Sequence, residues 1–272
     1  MKLSSAARFA LAATAPDEVL DLEALAIGVA SLGNPDLDSA AVSAELDRLA
    51  EQVRDDVTPS AAPDRLAAQL GSALGGTLGF HGDPAVYARA ESSFLDDVLR
   101  TRRGLPIALG VVWMLIGERI GVPLVGIGFP GHFLVGLDRP GARMYLDPFH
   151  RGRVRDAREL MERLPSVRPG DADAARRALE PTPTRPLILR MLTNLKNFWI
   201  DEDDHEHALA AIDRMLLVGR EQSGVVRDRA LLLLHLRRPT EAARDLRRYL
   251  VLEPSAPDRD VVEQLLARAE PV

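Results

Sequence analysis

Three short segments, in a fixed order, constrain the fold more than anything else in the chain. Gly104-Leu105-Pro106 opens an apolar helical run to Ile120, Gly131-His132-Phe133 leads into a strand-like segment, and Tyr145-Leu146-Asp147-Pro148 closes another. Pro106 stands near the first helical position, where its missing N–H costs nothing, and Gly121 ends the helix. Leu124 to Phe129 reads as a buried strand, Phe133 to Leu137 as a second and Arg143 to Leu146 as a third. Asp138-Arg139-Pro140-Gly141 is a turn between the last two. If that turn sets Asp138 against Gly141, the same register sets His132 against Asp147. Directly opposed residues have Cβ atoms about 4.5–5.5 Å apart, close enough for a carboxylate to orient an imidazole.

Among the 272 residues there is no cysteine, which removes disulfides, thiolate zinc sites and cysteine nucleophiles together. The length leaves room for one large domain or two small ones. A net charge of −6 argues against a nucleic-acid partner, which needs a basic surface. No apolar run reaches membrane-spanning length, so no membrane association is expected. Lys2 through Ala13 faintly resembles an export signal, but Arg8 interrupts the apolar stretch. A short amphipathic helix is the better reading, and the cytoplasm the expected location.

The first third is helical in pattern. Leu20, Leu22, Leu25, Ala26 and Val29 recur at helical spacing; Val42, Leu46, Leu49 and Val53 mark a second helix from about Ser39 to Val53. Leu66, Leu70 and Leu74 suggest a third, ending at Gly75-Gly76, and Phe80 to Tyr87 reads as loop. Ser93 to Leu99 looks like a short helix with Ser93 as its cap and acids in its first turn. Ala157 to Pro186 reads as a helix followed by a Pro-rich join, where the domain boundary is placed. Beyond it Ala208 and Ala242 stand 34 residues apart, and the same offset pairs Ile212 with Leu246, Met215 with Tyr249 and Trp199 with Leu233. Leu195 against Arg229 breaks the repeat. Two such hairpins and a final helix near Asp258 to Ala269 form a short array, expected to be capped on one side by the first domain.

These residues carry a resemblance. Ser93-Phe94-Leu95-Asp96-Asp97-Val98-Leu99, Arg102-Arg103-Gly104-Leu105-Pro106-Ile107 and Gly121-Val122-Pro123-Leu124-Val125-Gly126 are similar to the bacterial SirB-type family. So are Pro130-Gly131-His132-Phe133-Leu134-Val135 and Leu146-Asp147-Pro148-Phe149, while Glu91-Ser92-Ser93 departs from a family pattern that usually reads Asn-Ser. The resemblance implies an α+β fold: a transglutaminase-like (papain-like) helical core with a small antiparallel sheet over residues 1–184, then an all-α array of tetratricopeptide-like (TPR) hairpins over 185–272. A helix start, then His, then Asp is how Cys-His-Asp acyl-transfer sites are laid out in such folds. Active relatives carry the nucleophile in a G-x-C pattern ahead of G-[IV]-P. Counting back from Gly121-Val122-Pro123 lands on Pro106, so the resemblance maps His132 and Asp147 onto base and orienting acid and Pro106 onto the lost cysteine. Proline offers neither a nucleophile nor an N–H donor, so thiol chemistry is excluded.

Each candidate has a plainer reading beside it. His132 and Asp147 are either a surviving dyad or a structural hydrogen bond pinning two strands. Ser92 or Ser93 could stand in as nucleophile, though a cap is expected of Ser93. His132, Asp147 and His150 are metal ligands by type, but ordinary hydrogen bonding is the expectation, with no metal and no cofactor. Arg100, Arg102 and Arg103 precede the apolar helix, where Arg102 and Arg103 could bind an anion; salt bridges to Asp96 and Asp97 are the alternative. His205 and His207 fall on different helix faces, behind the acids Asp201 to Asp204, and read as a solvated first turn. Trp113 and Trp199 read as core. The functional expectation is a non-catalytic interaction or scaffold protein whose repeats bind a protein partner. The alternative is a hydrolase or amidase in which His132, assisted by Asp147, activates water or a hydroxyl.

Overall fold

The computed structural model describes residues 4–139, 142–162, 176–219 and 222–269. The chain divides into two compact units, Met1–Leu187 and Ile188–Val272.

The first unit begins with capped helices. Helix α1 (Ser5–Ala13) starts where the Ser4 hydroxyl accepts from the Ala7 amide, and α2 (Leu22–Ala30) where the Asp21 carboxylate accepts from Ala24. Helix α3 (Ser39–Val53) buries the expected face of Val42, Leu46, Leu49 and Val53. Helix α4 (Pro63–Leu70) runs on into a π-helical turn, Gly71–Thr77. The expected loop after it contains a 3-10 turn, Pro84–Ala88, started by the Asp83 carboxylate accepting from the Ala85 amide.

Helix α5 (Leu95–Thr101) corrects one expectation, because Ser93 does not cap it. A 3-10 turn, Ala90–Ser93, takes up both serines, the cap position falls on Phe94, and no side chain caps the helix. Helix α6 (Pro106–Arg119) is buried from Pro106 through Trp113 and again from Leu115 through Gly117. A helix apolar on nearly every side belongs in the interior, and the rest of the unit packs around it.

A four-stranded antiparallel sheet follows, in the order β1 (Val125–Ile127), β2 (Leu134–Arg139), β3 (Ala142–Asp147), β4 (Arg153–Arg155). The first three are the expected strands with shifted ends; the fourth was not foreseen. The register is also corrected. Asp138 faces Arg143 rather than Gly141, and Val135 faces Leu146. The reason is electrostatic: the Arg143 guanidinium bridges both Asp138 carboxylate oxygens, an opposite-charge pair that the expected register would have separated. Pro140 and Gly141, the middle of the expected turn, lie outside the described residues.

Leu134 and Tyr145 face Leu160 of helix α7 (Ala157–Glu162) and Leu179. On the other face Phe133 and Val135 meet α6 at Gly110, where a Cβ would stand 2.5 Å from the Phe133 ring. Gly152, between β3 and β4, is required twice over. Its φ is +77°, and a Cβ there would lie 2.3 Å from the Trp113 ring. The helix expected from Ala157 is described only to Glu162, and residues 163–175 lie outside the described residues. The Pro-rich join ends early, because Thr184, Arg185 and Pro186 already belong to helix α8 (Thr184–Asp201). The division into units falls inside that helix.

The second unit holds the helical hairpins. The part of α8 from Ile188 pairs in sequence with α9 (His205–Gly219), then α10 (Ser223–His235) with α11 (Pro239–Leu252), and α12 (Arg259–Ala269) ends the array. Ala208 and Ala242, the repeat's small positions, are fully buried, as are Leu195 and Leu233. Arg229, which stands where the first copy has Leu195, binds Asp213 and Asp245 instead of entering the core. Trp199 is buried and stacks on His207, while His205 stacks on His235.

Candidate functional site

Asp147 ends β3, and its carboxylate is fully buried. The chain then makes a 3-10 turn, Pro148–His150, passes through left-handed Arg151 and Gly152, and returns as β4. The observed register sets Leu134 one step beyond the last pair, opposite Asp147, so His132 lies diagonally across the ladder rather than directly opposite. A diagonal neighbour is within reach of a long side chain. The expected contact therefore forms through a different register: His132 Nε2 lies 2.9 Å from Asp147 Oδ1.

Four other donors, from two residues, converge on the same carboxylate. The His150 amide reaches Oδ1 at 3.3 Å and its Nδ1 reaches Oδ2 at 2.8 Å. Arg155, only 8% exposed, places Nε at 3.0 Å and Nη2 at 2.8 Å from Oδ2. Arg155 comes from β4, where it faces Tyr145, again diagonal to Asp147. Burial alone would raise the Asp147 carboxyl. The hydrogen bond and charge of His132, with the bonds from Arg155 and His150, outweigh it and hold the group well below the usual carboxylate range.

An ionised carboxylate only accepts, so Nε2 of His132 and Nδ1 of His150 must carry the protons directed at it. The basic lone pairs of the neutral rings then fall on Nδ1 of His132 and Nε2 of His150. His132 is 22% exposed and His150 is more open. Phe149 packs against both imidazoles, with ring centres 6.0 and 5.3 Å away, and Tyr87 packs on Phe149 at 6.0 Å.

By donor type His132, Asp147 and His150 form a two-histidine, one-carboxylate set, with atoms within 4.8 Å of one another. The set does not fit a metal ion. Five N–H donors already occupy the two Asp147 oxygens, and the Arg155 guanidinium on Oδ2 also lies 3.2 Å from His150 Nδ1. That places a fixed cation where a metal would stand.

The other sequence candidates are placed as follows. Pro106 is buried at the first position of α6, just after the Leu105 amide donates to the Ser92 carbonyl. Arg102 and Arg103 are not brought together. Arg102 binds Glu45 and lies over the Phe80 ring, whereas Arg103 pairs with Asp83 at 3.3 Å. Arg100 pairs with Asp97, and Asp96 accepts from Asn34. Sequence reasoning missed Arg155 and the orienting of His150. Arg151, Arg153 and Arg155 alternate as the exposed face of a strand would, and nothing local marks the third as buried.

Residues 40–193 match the model of the transglutaminase-like superfamily, more than half of the chain. The chain belongs to that superfamily. Residues 195–267 match the tetratricopeptide-repeat model. Relatives of this transglutaminase-like chain include a UPF0162 protein of Xylella fastidiosa, 36% identical over 254 residues, covering 92% of this chain and 90% of the relative. Protein SirB1 of Salmonella typhimurium is 26% identical over 219 residues, covering 80% and 81%. A UPF0162 protein of Vibrio cholerae is 29% identical over 186 residues, 68% of each chain. No solved structure matches. Among the described residues, no helix is long and apolar enough to cross a membrane.

Proposed function

We propose that this chain is a scaffold: a transglutaminase-like unit without thiol chemistry, joined to repeats that bind a protein partner. The absent cysteine carries the reading, since the family resemblance maps the former nucleophile position onto Pro106. The saturation of Asp147 supports it. A buried carboxylate with five donors, one pair of them from a buried arginine, is what a structural clamp between β2, β3 and β4 requires. Tetratricopeptide repeats generally bind proteins, and two hairpins with a final helix suit that role. A cytoplasmic location belongs to the same reading.

One observation favours a second reading. The dyad geometry is intact and His132 retains exposure. With Nε2–H held by Asp147, Nδ1 is the basic atom, and it could take a proton from water attacking an ester or amide carbonyl. A panel of ester and amide substrates with wild type and His132→Ala separates the two. The scaffold reading expects no turnover that depends on His132, and a partner crosslinked in native lysate that substitutions in the repeats release. Turnover abolished by His132→Ala would replace it with the hydrolase.

A further inference from the structure

Contacts at the hairpin ends fix the directions of the helices in the second unit. Trp199 stacks on His207 across the turn from α8 to α9, and His205, at the start of α9, stacks on His235 at the end of α10. Helix α9 therefore runs against both neighbours, and α8 and α10 run the same way. The Ser223 hydroxyl donates to Glu253, joining the start of α10 to the end of α11, and the Tyr249 hydroxyl donates to Asp258, just ahead of α12. Helix α12 thus runs parallel to α8 and α10.

Two ion pairs tie these three parallel helices side by side, Lys196 to Asp228 and Arg227 to Asp258, each at 2.9 Å. Residues three or four apart share a helix face. One turn beyond the ion pairs, on that face, come Ile200 on α8, Leu231 on α10 and Val261 on α12, which are 40, 43 and 57% exposed. Leu234 and Leu265, a turn further on, are half-buried and widen the apolar surface. Scattered exposed aliphatics are ordinary, but here each of three parallel helices places one in the same row. With neighbouring axes about 8–10 Å apart, the row is about 16–20 Å long.

The α8 end of the row is acidic. Asp201, Glu202 and Asp203 follow Ile200 directly, are exposed, and form no ion pair among the described residues. The cations of the neighbouring segments are already engaged, Lys196 by Asp228 and Arg238 by Glu241 and Glu206, while His207 bonds Asp204. Two exposed arginines on this side have no ion pair among the described residues. Arg237 stands at the repeat-equivalent position of Asp203, and Arg268 lies two turns past Val261 on the far helix. Each is a helix spacing of about 8–10 Å or more away, where salt screens exposed charges. The three carboxylates therefore keep most of their field.

We propose that this row seats an amphipathic helix of a partner protein, aliphatic along one side and carrying lysine or arginine at the end that lies over Asp201, Glu202 and Asp203. The proposal rests on the reading that the repeats bind a protein. A helix fits better than an extended segment, because the row offers no free backbone edge. An extended chain would bring unpaired amides and carbonyls onto aliphatic side chains, whereas a helix satisfies its own. At 1.5 Å per residue, about 11–13 residues of helix cover the row.

The test is fluorescence anisotropy of a labelled, alanine-based helix titrated with the full chain. The probe carries leucines at i, i+4, i+7 and i+11 and lysines in its last turn. One control replaces the leucines by glutamine and the other replaces the lysines by glutamate. Saturable binding is expected for the probe, and binding at least about 10-fold weaker for each control. Leu231→Ser, at an exposed position, weakens binding by about 10-fold or more with the melting temperature unchanged. Asp201→Asn/Glu202→Gln/Asp203→Asn weakens it by about 3- to 10-fold at low salt and flattens its salt dependence. Absence of saturable binding, equal binding of the lysine and glutamate forms, or binding indifferent to both variants overturns the proposal. A partner crosslinked in lysate that other substitutions in the repeats release, but Leu231→Ser does not, keeps the scaffold reading and overturns this surface.

Discussion

Replacing Arg155 with methionine keeps most of the side-chain volume and removes two of the five donors on Asp147. The carboxylate has no exposure, so water cannot replace them. Removing one partner of a buried ion pair typically costs about 3–5 kcal/mol, because the other charge is left uncompensated. His132 and the two His150 donors remain, so the lower end, about 3 kcal/mol, is expected. For a unit of this size each kcal/mol lowers the melting temperature by roughly 2–4 °C, giving a drop of about 10 °C. The chain has two tryptophans, and Trp113 lies in the first unit against Gly152. In a Trp199→Phe background, Trp113 fluorescence therefore reports the first unit alone during urea unfolding at neutral pH. Adding Asp147→Asn to Arg155→Met should cost less than the two single losses summed, as expected of partners in one network. A loss below about 1 kcal/mol in Arg155→Met, the size of an exposed pair, would refute the claim that Arg155 clamps a buried charge.

Other consequences can be checked on the same protein. Asp147 is held below its ordinary 3.8, so its contribution is fully present above about pH 4 and is lost as pH falls below that. First-unit stability in Asp147→Asn should thus fall less steeply than in wild type between pH 5 and pH 2, by urea unfolding; parallel curves would remove Asp147 from the account. In the second unit, burial pushes the Asp245 carboxyl up while Arg229 opposes it. Arg229→Leu, which restores the residue of the other repeat, leaves that carboxylate without its cation. The variant should be less destabilised at pH 5 than at pH 8, where the unpaired charge must be kept; equal losses at both would contradict this.

Much of the architecture is legible in the sequence because its signals are local. The apolar helix from Pro106, the hairpin segments and the 34-residue repeat of buried alanines each depend on spacing within one segment. The strand register was not legible, since it turns on an ion pair between Asp138 and Arg143 that the turn residues do not announce. The turn-based register pairs His132 with Asp147 directly, whereas in the structure they meet because a histidine spans a diagonal. Arg155 was invisible for a different reason. Its burial depends on β4, whose Arg-Val-Arg alternation would put Arg155 outside and Val154 inside, the reverse of what is found. Ser93 illustrates the limit of capping rules, because a 3-10 turn can absorb the expected cap before the helix begins.

If the chain keeps a transglutaminase-like frame, as we propose, Pro106 fills the nucleophile's place. Pro106→Cys tests it directly, because the chain has no other cysteine to react. The rate of iodoacetamide alkylation against pH reads how readily the thiolate forms. The account predicts a thiolate stabilised by the helix N-terminus and His132, reacting well below the ordinary thiol value of about 8.5, with the profile shifting up in Pro106→Cys/His132→Ala. A thiol that titrates at or above the ordinary value, and is indifferent to His132, would show that Pro106 and His132 do not share a site.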